Sequence, residues 1–161
     1  MSDMTRLRMP QASRAMSGIG PGTPVMTPDG LIPAGRLAPG DRIVTYDRGV
    51  VRLDHVGICH VPARAALLVR PRVLDPADET PDMVIAAAQR LLLRDWRARA
   101  MFGTGRALVR ASRLVDGSYI ARLTGAAPMP LVVLGFAGAE HVIQLGGRLE
   151  MISARAVAPV R

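Results

Sequence analysis

The sequence predicts an all-β domain, and three observations carry that prediction. The 13 prolines and 16 glycines break helix interiors too often for a helical bundle. Turn signals recur about every 8–12 residues, the spacing expected of short strands in a sandwich or barrel. The chain is 49% hydrophobic, yet its aromatics are only Trp96, Tyr46, Tyr119, Phe102 and Phe136, so aliphatic side chains must fill the core. A chain of 161 residues suits one domain, which at this size buries roughly 70% of its unfolded surface.

The elements follow in order. Residues 1–17 are polar, lack an apolar period and read as a flexible leader. Gly20-Pro21-Gly22 turns the chain, Thr23 to Thr27 reads as a strand, and Pro28-Asp29-Gly30 turns it again into Leu31-Ile32-Pro33. Leu37 is expected to plug the core, Pro39-Gly40 to turn, and Ile43 to Tyr46 to form a buried strand. After Asp47-Arg48-Gly49, residues Val50 to Val61 read as one strand bent at Gly57. Ala65 to Val73 reads as another strand, and the acidic, Pro-bearing Leu74 to Asp82 as a solvated loop. Met83 to Ala88 is β-like, Leu91 to Leu93 is apolar, and Arg94 to Met101 suits one short helix. Ala107-Leu108-Val109 and Ala111 to Val115 precede the turn Asp116-Gly117. Leu131 to Leu134, His141 to Leu145 and Leu149 to Ile152 read as closing strands, with Gly146-Gly147 set to join the last pair as a hairpin.

Composition narrows the chemistry. A single cysteine, Cys59, excludes an internal disulfide and a multi-cysteine zinc site. His55, His60 and His141 have no metal-finger spacing, and Cys59 and His60, as strand neighbours, point to opposite faces. Cys59 reads as a small buried filler. The net charge is +8, and every basic residue is Arg, with no Lys and no Asn. Arginine forks grip phosphate, but the joint lack of Lys and Asn is what a GC-rich genome produces, and that account is preferred. Arg90, Arg94, Arg97, Arg99, Arg106, Arg110 and Arg113 crowd one stretch, with Arg90, Arg94 and Arg97 spaced for one helical face. Trp96 and Phe102 nearby suggest an anionic-partner reader, but no nucleic-acid fold signature accompanies them. The leader has no apolar core for a secretory signal. Leu123 to Ala139 is too short and too broken by Pro128 and Pro130 to span a bilayer. The expectation is a soluble, cytoplasmic protein.

Two segments together resemble the bacterial Hint (Hedgehog/intein) family. The first runs from Gly22-Thr23-Pro24-Val25-Met26-Thr27-Pro28-Asp29-Gly30 into Leu37-Ala38-Pro39-Gly40-Asp41-Arg42-Ile43-Val44-Thr45. It is similar to the family opening of nucleophile, strand, Pro-Asp-Gly turn and Leu-x-Pro-Gly-Asp. The second, Val84 to Trp96 followed by Ala107 to Asp116, is similar to the family's inner Ser-Pro-Gln-His-Arg block and its later Val-x-Ala-x-x-Leu-Val stretch. The resemblance implies a pseudo-twofold horseshoe of short strands over 18–155, with 156–161 as a tail.

It also implies self-catalysed peptide-bond cleavage. A Cys or Ser at the first domain residue attacks the preceding carbonyl, and the His of a Thr/Ser-x-x-His element protonates the departing amide nitrogen. The nucleophile position falls at Gly18, the Thr/Ser at Ala86 and the His at Gln89. None of the three can perform its step, so the resemblance yields no catalytic residue, no metal and no cofactor. The sequence reading is therefore a domain that no longer processes itself and serves as a binding or structural module, open to a protein partner that the sequence does not identify. One alternative is residual cleavage through Ser17, one residue before the expected nucleophile. The other is an anionic partner held by the Arg90–Arg113 stretch, with nucleic acid disfavoured.

Overall fold

Short strands separated by tight turns dominate the computed structural model, which describes residues 17–156. The expected leader up to residue 16 and the tail beyond 156 lie outside the described residues. In chain order the elements are β1 (Pro24–Thr27), β2 (Gly30–Pro33), β3 (Arg42–Thr45), β4 (Gly49–Arg52), β5 (His55–Val61) and β6 (Ala66–Val69). There follow α1 (Pro71–Leu74), β7 (Met83–Ala86), β8 (Arg90–Leu93), α2 (Trp96–Phe102), β9 (Ala107–Arg110) and β10 (Ile120–Arg122). The chain closes with β11 (Met129–Ala137), β12 (Val142–Gln144), β13 (Glu150–Ile152) and β14 (Ala154–Ala156). The all-β expectation holds.

The strands form four groups. β1 and β2 make a hairpin; β10-β6-β7 and β14-β11-β5 are three-stranded; β4-β3-β12-β13-β8-β9 is six-stranded. Alternation along strands such as β1 and β3 sends one set of side chains inward, while β6 and β11 bury residues on both faces. Thus Val25, Ile43, Leu67, Ile85, Leu91, Leu134 and Phe136 are buried in one aliphatic core. Leu37 is buried as expected. β12 and β13 pair antiparallel across the Gly146-Gly147 turn, also as expected.

Several boundaries differ from the sequence reading, each for a physical reason. Residues 50–61 form two strands, because the chain changes partner at Leu53-Asp54. Leu53 exchanges backbone bonds of 2.7 Å with Gly40 and Asp41, whereas the Asp54 amide donates to Gly135 on β11. Gly57 is no bend; it lies within β5 opposite Val133, and its missing Cβ leaves room for the His55 ring. The strand expected to reach Val73 stops at Val69, where Pro71 sits in the first turn of α1. Residues Ala111–Leu114 form a 3-10 turn. Two short α-helices appear where one was expected. In α2 the Asp95 carboxylate caps the Arg97 amide at 2.9 Å, and Gly103 ends the helix at φ +69°. β14 runs across the expected domain end at 155, pairing parallel with β11.

Candidate functional site

Residues 17–20 form the seam between two sheet groups. Ile19 bridges to Ile85 of β7 on one side and to Val132 of β11 on the other. The Ile19 amide donates to the Val132 carbonyl at 3.0 Å, and the Val132 amide returns the bond at 2.6 Å. Gly20 donates to the Val84 carbonyl at 2.7 Å, and the Ala86 amide donates to the Gly18 carbonyl at 2.9 Å. Ile19 has no exposed surface, as suits a side chain inserted where the sheets meet.

Gln89 completes the seam. The chain turns tightly after β7, with the Gln89 amide on the Ala86 carbonyl at 3.0 Å, and this carries the side chain inward until only 3% remains exposed. Its Oε1 accepts from the Gly18 amide at 3.0 Å. Its Nε2 donates to the Arg90 and Ile152 carbonyls, both at 2.9 Å. Both donors of the NH2 thus meet oxygens and the oxygen meets an N–H, so the opposite amide orientation would lose all three bonds. Gly18 and Gln89 are therefore in direct contact, and Ala86 touches the same glycine through its backbone.

Gly18 sits in a conformation suited to glycine. Its φ is +142°, and a Cβ there would lie 3.0 Å from the Val132 carbonyl oxygen and 3.1 Å from the Leu131 Cβ. A side chain at position 18 would press against Leu131 and Val132 of β11. Ala86 is fully buried.

Ser17 is half-buried, and its carbonyl accepts from the Cys59 thiol, with Sγ 3.7 Å from the oxygen. This corrects the sequence reading of Cys59 as a small buried filler. Cys59 is half-buried on β5 opposite Leu131, and that pairing brings it to the seam. No sequence signal marked this, since 42 positions separate the partners. Burial pushes the Cys59 thiol pKa up, so the thiol form dominates at neutral pH. His60 is exposed on β5, and His141 pairs instead with Asp47, Nδ1 to Oδ2 at 2.8 Å.

The arginine stretch is divided among elements, not gathered on one helical face. Arg90 lies on β8 and pairs with Glu140 at 2.7 Å; Arg94 follows β8 and pairs with Glu150 at 2.7 Å. Arg97, on α2, pairs with Asp95 at 2.8 Å. The shared face fails because β8 ends at Leu93 and the helix starts only at Trp96. Among the described residues no group of three or more His, Cys, Asp or Glu converges as metal ligands would. Nor is any helix there long and apolar enough to cross a membrane.

The strand-rich domain passes residues 17–20 through a seam between two sheet groups. The solution structure of a bacterial intein-like domain from Clostridium thermocellum superposes with a TM-score of 0.58 at 12% identity, covering 86% of this chain and 99% of that one. The gp41-1 intein crystal structure gives 0.51 at 10% identity, covering 84% and 98%. The Msm DnaB1 intein splicing domain, crystallised with zinc, gives 0.50 at 17% identity, covering 83% and 98%. At these identities the likeness is one of fold. No curated protein matches the sequence. A family profile described as Hint domain matches residues 18–148. The chain belongs to the Hint domain family.

Proposed function

We propose that this Hint domain has lost self-cleavage and acts as a non-catalytic binding or structural module. The observation that carries the reading is the bond from the Gly18 amide to Gln89 Oε1. Cleavage of the Ser17–Gly18 peptide needs a heteroatom to attack the Ser17 carbonyl and a proton delivered to the Gly18 nitrogen. Gln89 faces that nitrogen with an acceptor, and its only protons are committed to two carbonyls. A carboxamide does not titrate near neutral pH, so the polarity is opposite to what the step requires. Position 18 has no side chain, and its conformation disfavours one.

Cys59 reaches the carbonyl of this bond, with Sγ 3.7 Å from the Ser17 oxygen. Its thiol donates to the carbonyl oxygen, and burial disfavours the thiolate. Without a donor on the Gly18 nitrogen, an attacking thiol would be expelled again faster than the amine. Ser17 lies on the acyl side of the bond that Gln89 faces, so it would act on the preceding peptide, away from the Gln89 contact.

The reading is tested by incubating the purified chain with dithiothreitol or hydroxylamine and following intact mass. An unchanged single mass supports it, and a fragment beginning at Ser17 or Gly18 overturns it. If a Ser17 start appears, Ser17→Ala separates true autoprocessing, which must vanish, from contaminating protease, which must persist. The anionic-partner alternative calls for nucleic-acid affinity that falls steeply with salt. Three of its seven arginines, Arg90, Arg94 and Arg97, are already drawn into pairs with Glu140, Glu150 and Asp95.

A further inference from the structure

A cleft of about 1030 Å³ lies away from the Gly18–Gln89 contact, between the β1–β2 hairpin, the loop 75–81 and the turn 144–150. Its apolar wall comes from the hairpin. In β1, Val25 and Thr27 point into the core, so Pro24 and Met26 face the cleft. Cross-strand pairing sets Leu31 against Met26 and Pro33 against Pro24. The result is an uncovered apolar strip in which Leu31 is 46% exposed.

The facing wall is acidic in a chain that is otherwise strongly basic. Asp75, Asp78 and Glu79 stand on a loop fixed at Thr80, whose hydroxyl accepts from the Gly147 amide at 3.2 Å. Asp75 reaches Arg148 at 3.6 Å and Glu150 is held by Arg94, but Asp78 and Glu79 have no ion-pair partner among the described residues. Hydrogen bonds from Thr80 hold the Asp78 carboxyl below its ordinary range, so it carries its charge at neutral pH.

An apolar wall opposite unpaired carboxylates fits an extended strand that alternates apolar and cationic residues. Residues 6–9 of this chain read Arg-Leu-Arg-Met. Extended, Leu7 and Met9 fall on one side and Arg6 and Arg8 on the other. The tether is long enough: Gly22 lines the cleft, Ser17 lies five residues from it, at most about 18 Å, and the eight residues from Met9 to Ser17 extend to about 27 Å. We propose that the cleft is a binding site for the chain's own segment around Arg6–Met9, with Leu7 and Met9 against Met26 and Leu31 and the two guanidinium groups on Asp78 and Glu79. The site involves none of the residues assigned to self-cleavage, so it stands or falls separately from the loss of that chemistry.

The absence of lysine from the sequence provides a clean probe. Arg8→Lys in the full chain keeps the positive charge and installs a single side-chain amine. Carbodiimide treatment then links that amine covalently to any carboxylate in contact with it, and peptide mass mapping locates the link. The expected product is an intramolecular amide between position 8 and Asp78 or Glu79. It should be lost when Asp78→Asn and Glu79→Gln are added, and suppressed at high salt, where exposed charge pairs are screened. The exposed loop tolerates those two changes, and an unchanged melting temperature verifies it. A link to carboxylates elsewhere, no link at all, or a link formed only between molecules would overturn the proposal.

Discussion

Gln89 is the residue on which the account turns, because one side chain satisfies three buried backbone groups from three parts of the chain. Gln89→Leu keeps the bulk but leaves an amide and two carbonyls without that partner. A loss of about 3 kcal/mol in stability is expected, since each orphaned buried polar group costs about 1–3 kcal/mol. Urea unfolding measures this, and an unchanged midpoint would show the bonds to be incidental. Gly18→Ala is expected to cost about 2 kcal/mol or more from its positive φ and the close approach of Val132. Cys59 should react with iodoacetamide far more slowly than an unfolded control, because it is half-buried and held as the thiol; equal rates would contradict that. The positions of Gly18, Ala86 and Gln89 were legible because motif spacing is local. What sequence spacing could not show was that Cys59 reaches the Ser17 carbonyl, because that depends on pairing across the sheets.

At the level of elements, turns were legible and partner changes were not. Pro28-Asp29-Gly30 and Gly146-Gly147 announce their hairpins through backbone conformations that glycine supplies. The break at Leu53-Asp54 has no such mark; it exists because β5 leaves the β3–β4 pairing to join β11. The short strand β10 was not anticipated. The helix α2 was legible from Asp95 and the residues after it. Asp95→Ala should lower stability by about 1 kcal/mol through loss of the cap, measured by thermal unfolding, while Asp95→Asn, which still accepts from the Arg97 amide, should lose less. Equal losses would assign the effect to the Arg97 ion pair instead.

For the whole molecule, the arginine excess and the folded carboxylates together set the response to acid. At Asp47, Asp95 and Asp116 burial works to raise the pKa, but hydrogen bonds from His141, Arg97 and the Ile120 amide respectively overcome it, and each lies below its ordinary value. Groups lowered in the folded state contribute stability that is complete above the unfolded carboxylate range, near pH 4, and is lost as pH falls towards their folded values. The melting temperature should therefore decline below about pH 4. In Asp47→Asn, which removes the His141 partner, that decline should be shallower; an identical slope would remove Asp47 from the explanation. A scaffold of the self-processing type, with a hydrogen-bond acceptor turned towards the nitrogen that would have to leave, should keep its peptide intact indefinitely. The most direct measurement is carbon–nitrogen NMR of the intact chain labelled at the Ser17 carbonyl and the Gly18 amide. An ordinary amide carbonyl coupled to nitrogen, unchanged over days with or without added thiol, is the predicted result. An ester or thioester carbonyl at Ser17, even as a minor population, would contradict the account.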